Sequence, residues 1–169
     1  MRAVSSLHCC PSVEYGIQGI FVGYRGFEIR DIAPLFPFGH GLSYSQFEYS
    51  SIEITPISLD GHFTVTFNVK NVGKVNGREI TQIYVADRES SLPRPIKELK
   101  GFVKASLKAG ETRSLKVALD REALGFYDDR RMAWVAEAGK FDVYVASSSE
   151  DVRLTGEIEL GESFSWTGL

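Results

Sequence analysis

The 169-residue chain carries 19 Lys and Arg against 22 Asp and Glu, a formal net charge of −3, with 43% hydrophobic and 24% charged residues. These are ordinary proportions for a globular protein. The charge gives no electrostatic case for nucleic acid or an anionic membrane as a partner, since both need clustered Lys and Arg, and no apolar run approaches the roughly 18 residues of a membrane span.

In chain order, residues 1–14 show no periodicity and read as disordered. Met1 to Cys10 lacks the long apolar core of a signal peptide. Cys9 and Cys10 are adjacent, with Cα atoms about 3.8 Å apart, too close for an ordinary disulfide. The body thus carries no disulfide, and Asn68, Asn71 and Asn76 all lack the hydroxyl residue of a glycosylation sequon. Both features favour a cytoplasmic setting for this chain. Gly19 to Arg25 reads as a short strand bounded by glycines, and Glu28 to Ala33 as a polar turn.

Pro34-Leu-Phe-Pro-Phe-Gly-His-Gly-Leu-Ser-Tyr44 follows. Its two prolines forbid a helix. Leu35, Phe36, Phe38, Leu42 and Tyr44 are too apolar for a solvated linker. The expectation is a rigid, buried connector between two packing units.

From Phe47 onward the period is two. Phe47, Tyr49, Ile52 and Ile54 mark a strand with an offset near Ser50-Ser51. Phe63, Val65, Phe67 and Val69 alternate with Thr64, Thr66, Asn68 and Lys70, the pattern of a half-buried strand. Turn signals in Asn71 to Gly77 predict that the strand from Glu79 to Ala86 folds back on it. A proline-rich loop over 90–95 precedes a strand over 98–107 anchored by Leu99, Phe102 and Val103. Leu115, Val117 and Leu119 alternate, and Asp120 to Leu124 fits one helical turn capped by Asp120. Segments 132–136, 141–145 and 152–160 complete the series. Many short strands, regular turns and no long helix predict an all-β, immunoglobulin-type antiparallel sandwich. Trp134 reads as a core plug rather than a sugar-stacking platform, since burying such a ring removes some 150–250 Å² from water.

Little here suggests chemistry. Glycoside hydrolysis needs a positioned pair of carboxylates, but the acids lie on polar strand phases or in turns, as in Asp128-Asp129-Arg130-Arg131. His8, His40 and His62 are too scattered for a metal site; His40 reads as a packed histidine rather than a substrate contact. No nucleophile elbow, P-loop or dinucleotide fingerprint occurs, so no catalytic, metal-binding or cofactor-binding residue and no cofactor is expected. For Arg94 and Lys97 two readings stay open, a solvated loop or contact with a neighbouring domain.

Gly19-Ile-Phe-Val-Gly-Tyr-Arg-Gly-Phe27, the 34–44 connector and Leu92-Pro-Arg-Pro-Ile-Lys-Glu-Leu-Lys-Gly-Phe102 resemble the C-terminal end of glycoside hydrolase family 3 β-glucosidases. Leu107 to Glu111 and Ala138 to Ser148 extend the likeness, which begins near Tyr15 and runs to about residue 160. The resemblance implies a barrel-like domain with an Asp nucleophile, an α/β sandwich domain with the acid/base Glu, then a fibronectin type III-like domain. Residues 15–44 would be the remnant of the α/β domain and its connector, 45–162 the fibronectin type III-like sandwich, and 163–169 a tail. Both catalytic segments precede anything matched here, so no catalytic residue carries over. The expectation is a truncated piece of a β-glucosidase that is inactive alone and braces upstream catalytic domains. Phe36, Phe38, His40, Leu42, Tyr44, Arg94 and Lys97 would form that domain interface. A β-glucoside would meet only the intact enzyme, whose secretion is left open. The alternative is a stand-alone sandwich that binds polysaccharide or a separately encoded catalytic half.

Overall fold

A computed structural model describes residues 19–168. The disorder expected of 1–14, together with His8, Cys9 and Cys10, lies outside the described residues. One short helix, α1 (Tyr24–Ile29), precedes the strands β1 (Phe47–Ile54), β2 (Phe63–Asn71), β3 (Gly77–Asp87), β4 (Glu98–Leu107) and β5 (Thr112–Leu119). After a 3-10 turn at Arg121–Ala123 come β6 (Phe126–Asp128), β7 (Ala133–Ala136), β8 (Gly139–Ala146), β9 (Val152–Leu160) and β10 (Phe164–Trp166).

Sheet order is β1-β2-β5 in one layer and β4-β3-β8-β9 in the other, all antiparallel, with a small sheet β10-β7-β6 at one end. Strand β1 lies against β9 and β4 against β5, so the layers meet along both edges. The alternation in β2 does what it predicts. Phe63, Val65, Phe67 and Val69 are buried, and they pack in one core with Ile83, Val85, Leu115, Val117, Phe141, Val143 and Val145. The offset in β1 is a bulge between Ser50 and Glu53, with Ser51 at φ 57°. Asp120 caps its turn through Oδ1, which accepts from Glu122 N at 3.0 Å.

Four local expectations are corrected. Gly19 to Arg25 is not a strand: a turn with Gly19 and Gly23 at positive φ feeds α1, because two alternating apolar positions are too few to hold a strand. Strand β3 does not fold back on β2 but crosses to the opposite layer. The five residues 72–76 are too many for a two-residue hairpin, and buried Asn71 fixes the crossing. Its Nδ2 donates to Val75 O at 2.8 Å and Leu107 O at 3.2 Å, and its Oδ1 accepts from Gly73 N at 2.9 Å. Phe102 is no inward anchor, for it is 69% exposed. It shares a phase with Lys104 and Ser106, while Ala105 and Leu107 are buried on the other. At inward-facing Gly101 a Cβ would meet Val117 Cγ1 at 2.8 Å. Finally, the segment taken as a tail supplies β10, whose Trp166 is buried.

Candidate domain-interface surface

In β3, Ile83 and Val85 enter the core, so the alternate residues Gln82 and Tyr84 point to the outer face of the four-stranded sheet. Both are nevertheless buried, because segment 19–44 lies over them. The Tyr24 ring meets Tyr84 edge-on at 5.8 Å and stacks on Phe38 at 5.0 Å. Gly39, at φ 84°, presses its backbone against the Gln82 amide, where no Cβ would fit. Tyr24 OH accepts from Leu99 N at 2.8 Å, and Phe38 O from Ser149 N at 2.8 Å.

An ionic seam closes the same joint. Lys97 Nζ pairs with Glu28 Oε1 at 2.6 Å, and Arg25 with Glu98 at 3.1 Å. Burial works to raise the Glu98 pKa, but Lys100, Arg94 and Arg25 outweigh it and hold the carboxyl below its usual range. Burial also depresses Lys100 and raises Asp87. Arg94 follows neither open reading. Its side chain turns inward to Asp87 at 2.9 Å and Glu98 at 3.1 Å, bonds Leu124 O at 3.0 Å and covers the Phe126 ring. Lys97 reaches α1, not solvent.

The connector, expected to be buried, is bare on its far side. Leu42 is 96% exposed, Tyr44 wholly so, Leu35 and Phe36 largely so, and Phe38 about half. The sandwich beneath is already filled, and among the described residues nothing covers them. His40 is exposed too; its ring lies 5.4 Å from Phe36 and its N–H donates to Pro37 O at 2.9 Å. Phe27, Ile29 and Ile32 from α1 and its exit, with Ile80 and Phe102 of the sheet, add to this exposed apolar surface. The sequence reading missed all five. Phe102 had a visible signal, its shared phase with Lys104 and Ser106.

An open groove of about 800 Å³ runs beside residues 39–48. Glu79 on its wall has a structural partner: Tyr49 OH donates to Glu79 Oε1 at 2.6 Å, joining β1 to β3. Burial raises the pKa of both groups. No group of three or more His, Cys, Asp or Glu among the described residues could hold a metal. Nor do the aromatics make a sugar platform. Tyr127, Trp134 and Trp166 sit opposite one another across the small sheet, but Trp134 and Trp166 stack face to face at 6.1 Å, and Tyr127 abuts Trp134 edge-on at 5.7 Å. The ring faces are spent on each other.

Residues 79–149 match a fibronectin type III-like domain. The chain is 47% identical over 144 residues to a β-glucosidase of Bacteroides ovatus, covering 84% of this chain and 19% of that protein. A probable β-glucosidase of Emericella nidulans is 44% identical over 161 residues, covering 93% of this chain and 18% of its own length. Among solved structures, β-glucosidase of Kluyveromyces marxianus superposes with a TM-score of 0.86 at 36% identity, over 92% of this chain and 18% of that one. A family 3 β-glucosidase of Bifidobacterium adolescentis gives 0.83 at 36% identity, over 89% and 23%. The chain therefore spans about a fifth of the proteins it matches. In sequence and in fold it corresponds to the C-terminal part of the β-glucosidases of glycoside hydrolase family 3, the part that carries their fibronectin type III-like domain.

Proposed function

We propose that this chain is the structural C-terminal sandwich of a β-glucosidase, seats its α1 and connector surface against the preceding catalytic domains, and hydrolyses no glucoside alone. The parent enzyme would release terminal β-D-glucosyl residues in glucan breakdown. One observation carries the reading: Leu35, Leu42 and Tyr44 stand almost fully in water on a segment too apolar to remain there. Their placement where the chain enters the sandwich suits contact with whatever precedes it. Covalent catalysis and proton transfer by a retaining glycosidase need two carboxylates about 5–5.5 Å apart. The acids withdrawn from water here, Asp87, Glu28, Glu79 and Asp128, are instead engaged by Arg94, Lys97, Tyr49 and Arg131.

The test compares Phe38→Ala in two contexts. In the chain alone the variant loses one stacked ring, about 1 kcal/mol. In an enzyme that includes the preceding domains it loses a packed side chain, about 3–5 kcal/mol. Equal, small losses in thermal melting of both would refute the bracing role. Turnover of an aryl β-glucoside by the purified chain above the buffer rate would refute the claim of inactivity.

A further inference from the structure

A cavity of about 180 Å³ opens between α1, the connector and the loop that joins β8 to β9. Four aromatic rings line it, those of Tyr24, Phe27, Phe36 and Phe38, with the carboxylates of Glu28 and Glu150. Phe36 is 67% exposed and Phe27 42%, so both rings keep surface open to a ligand, with His40 5.4 Å from Phe36. The Glu28 side chain is only 10% exposed; Lys97 takes its Oε1. Its other oxygen, Oε2, is buried without a hydrogen-bond donor among the described residues. A carboxylate oxygen withdrawn from water and left unpaired is costly, and here it belongs to a residue that lines an aromatic pocket. Ring faces are electron-rich and attract cations. The combination of acid and stacked rings suits an organic cation with a flat or apolar body. Arginine fits better than lysine, because a planar guanidinium both stacks on rings and forks onto a carboxylate, here that of exposed Glu150. A metal ion would want several oxygen ligands, and none of the described residues form such a group.

We propose that this cavity seats one cationic side chain, arginine by preference, from the polypeptide that packs over α1 and the connector. The source of that side chain rests on the bracing reading; the chemistry of the seat belongs to this chain alone. The test therefore needs no other domain. N-acetyl-arginine amide is titrated into the full chain while the ring resonances of Phe27, Phe36 and Phe38 are followed, with N-acetyl-citrulline amide as the uncharged isostere and glucose as a neutral ring. Saturable shifts with the arginine compound only are expected. Phe36→Ala and Glu150→Gln, both at exposed positions that leave the Lys97–Glu28 pair intact, should each weaken binding roughly two- to fivefold. Equal shifts with citrulline, shifts with glucose but not arginine, or no shifts at all would each overturn the proposal. Any of those results leaves the bracing reading standing, since the Phe38 melting comparison decides that separately.

Discussion

Asn71 shows how one side chain can decide topology. It ends β2, is wholly buried, and serves Val75, Leu107 and Gly73 at once. Its own backbone N–H donates to Glu111 O, and its carbonyl accepts from Gly110 N. One residue thus ties the β2–β3 crossing to the β4–β5 turn and joins the two layers. Asn71→Ala should cost about 2–4 kcal/mol, because each buried group left without its partner adds roughly 1–3 kcal/mol. Urea denaturation measures it, and a loss within 0.5 kcal/mol, the range usual for ordinary surface changes, would contradict this role. The turn signal at Asn71 to Gly77 is visible in the sequence; the direction of the chain after it is not. Two of the three carbonyl and amide partners are local, but Leu107 lies 36 residues away, and no local pattern reports a partner at that distance.

Among the elements, the sandwich strands were readable and α1 was not. Strands β2, β5 and β8 bury one face, so their period of two survives into the structure. Helix α1 has six residues and no side-chain cap. A helix that short has no stability of its own in water, so its sequence carries no strong helical signature. It exists because Tyr24, Arg25 and Glu28 dock onto Leu99, Glu98 and Lys97. Helix formation and docking are therefore a single event. The prediction concerns amide exchange in the full chain. Leu99 N–H, bonded to Tyr24 OH, should exchange at the same opening rate as Phe27 and Ser149, and faster than Val143 in the core. Tyr24→Phe should speed all three about five- to tenfold, the loss of one hydrogen bond. Acceleration of Leu99 alone would mean that the segment does not move as one piece. The residues proposed for the interface were legible in part for the same reason. Phe36, Phe38, Leu42 and Tyr44 stand out as apolar residues between prolines and glycines, whereas Arg94 looks like any loop arginine until its acids converge on it from β3 and β4.

For the protein taken entire, a closed sandwich carries an open apolar surface at its entry. Its two layers approach each other where β1 nears β9 and β4 nears β5, while β1, β5, β4 and β9 remain the outer strands of their sheets. Association should run through the connector, where Leu35, Leu42 and Tyr44 stand almost fully exposed. Sedimentation velocity on the isolated chain should show concentration-dependent self-association, suppressed when Leu42→Ser and Tyr44→Ser are combined. A single monomeric boundary at every concentration would show that this surface tolerates water. The way segment 19–44 lies across Gln82 and Tyr84 also fixes where this module can be cut for transplantation. Excision at the first strand would strip the outer sheet of its cover and strand Lys97 without Glu28. A graft intended to stand in a foreign host should begin ahead of Gly23, carry α1 along, and offer the host an arginine.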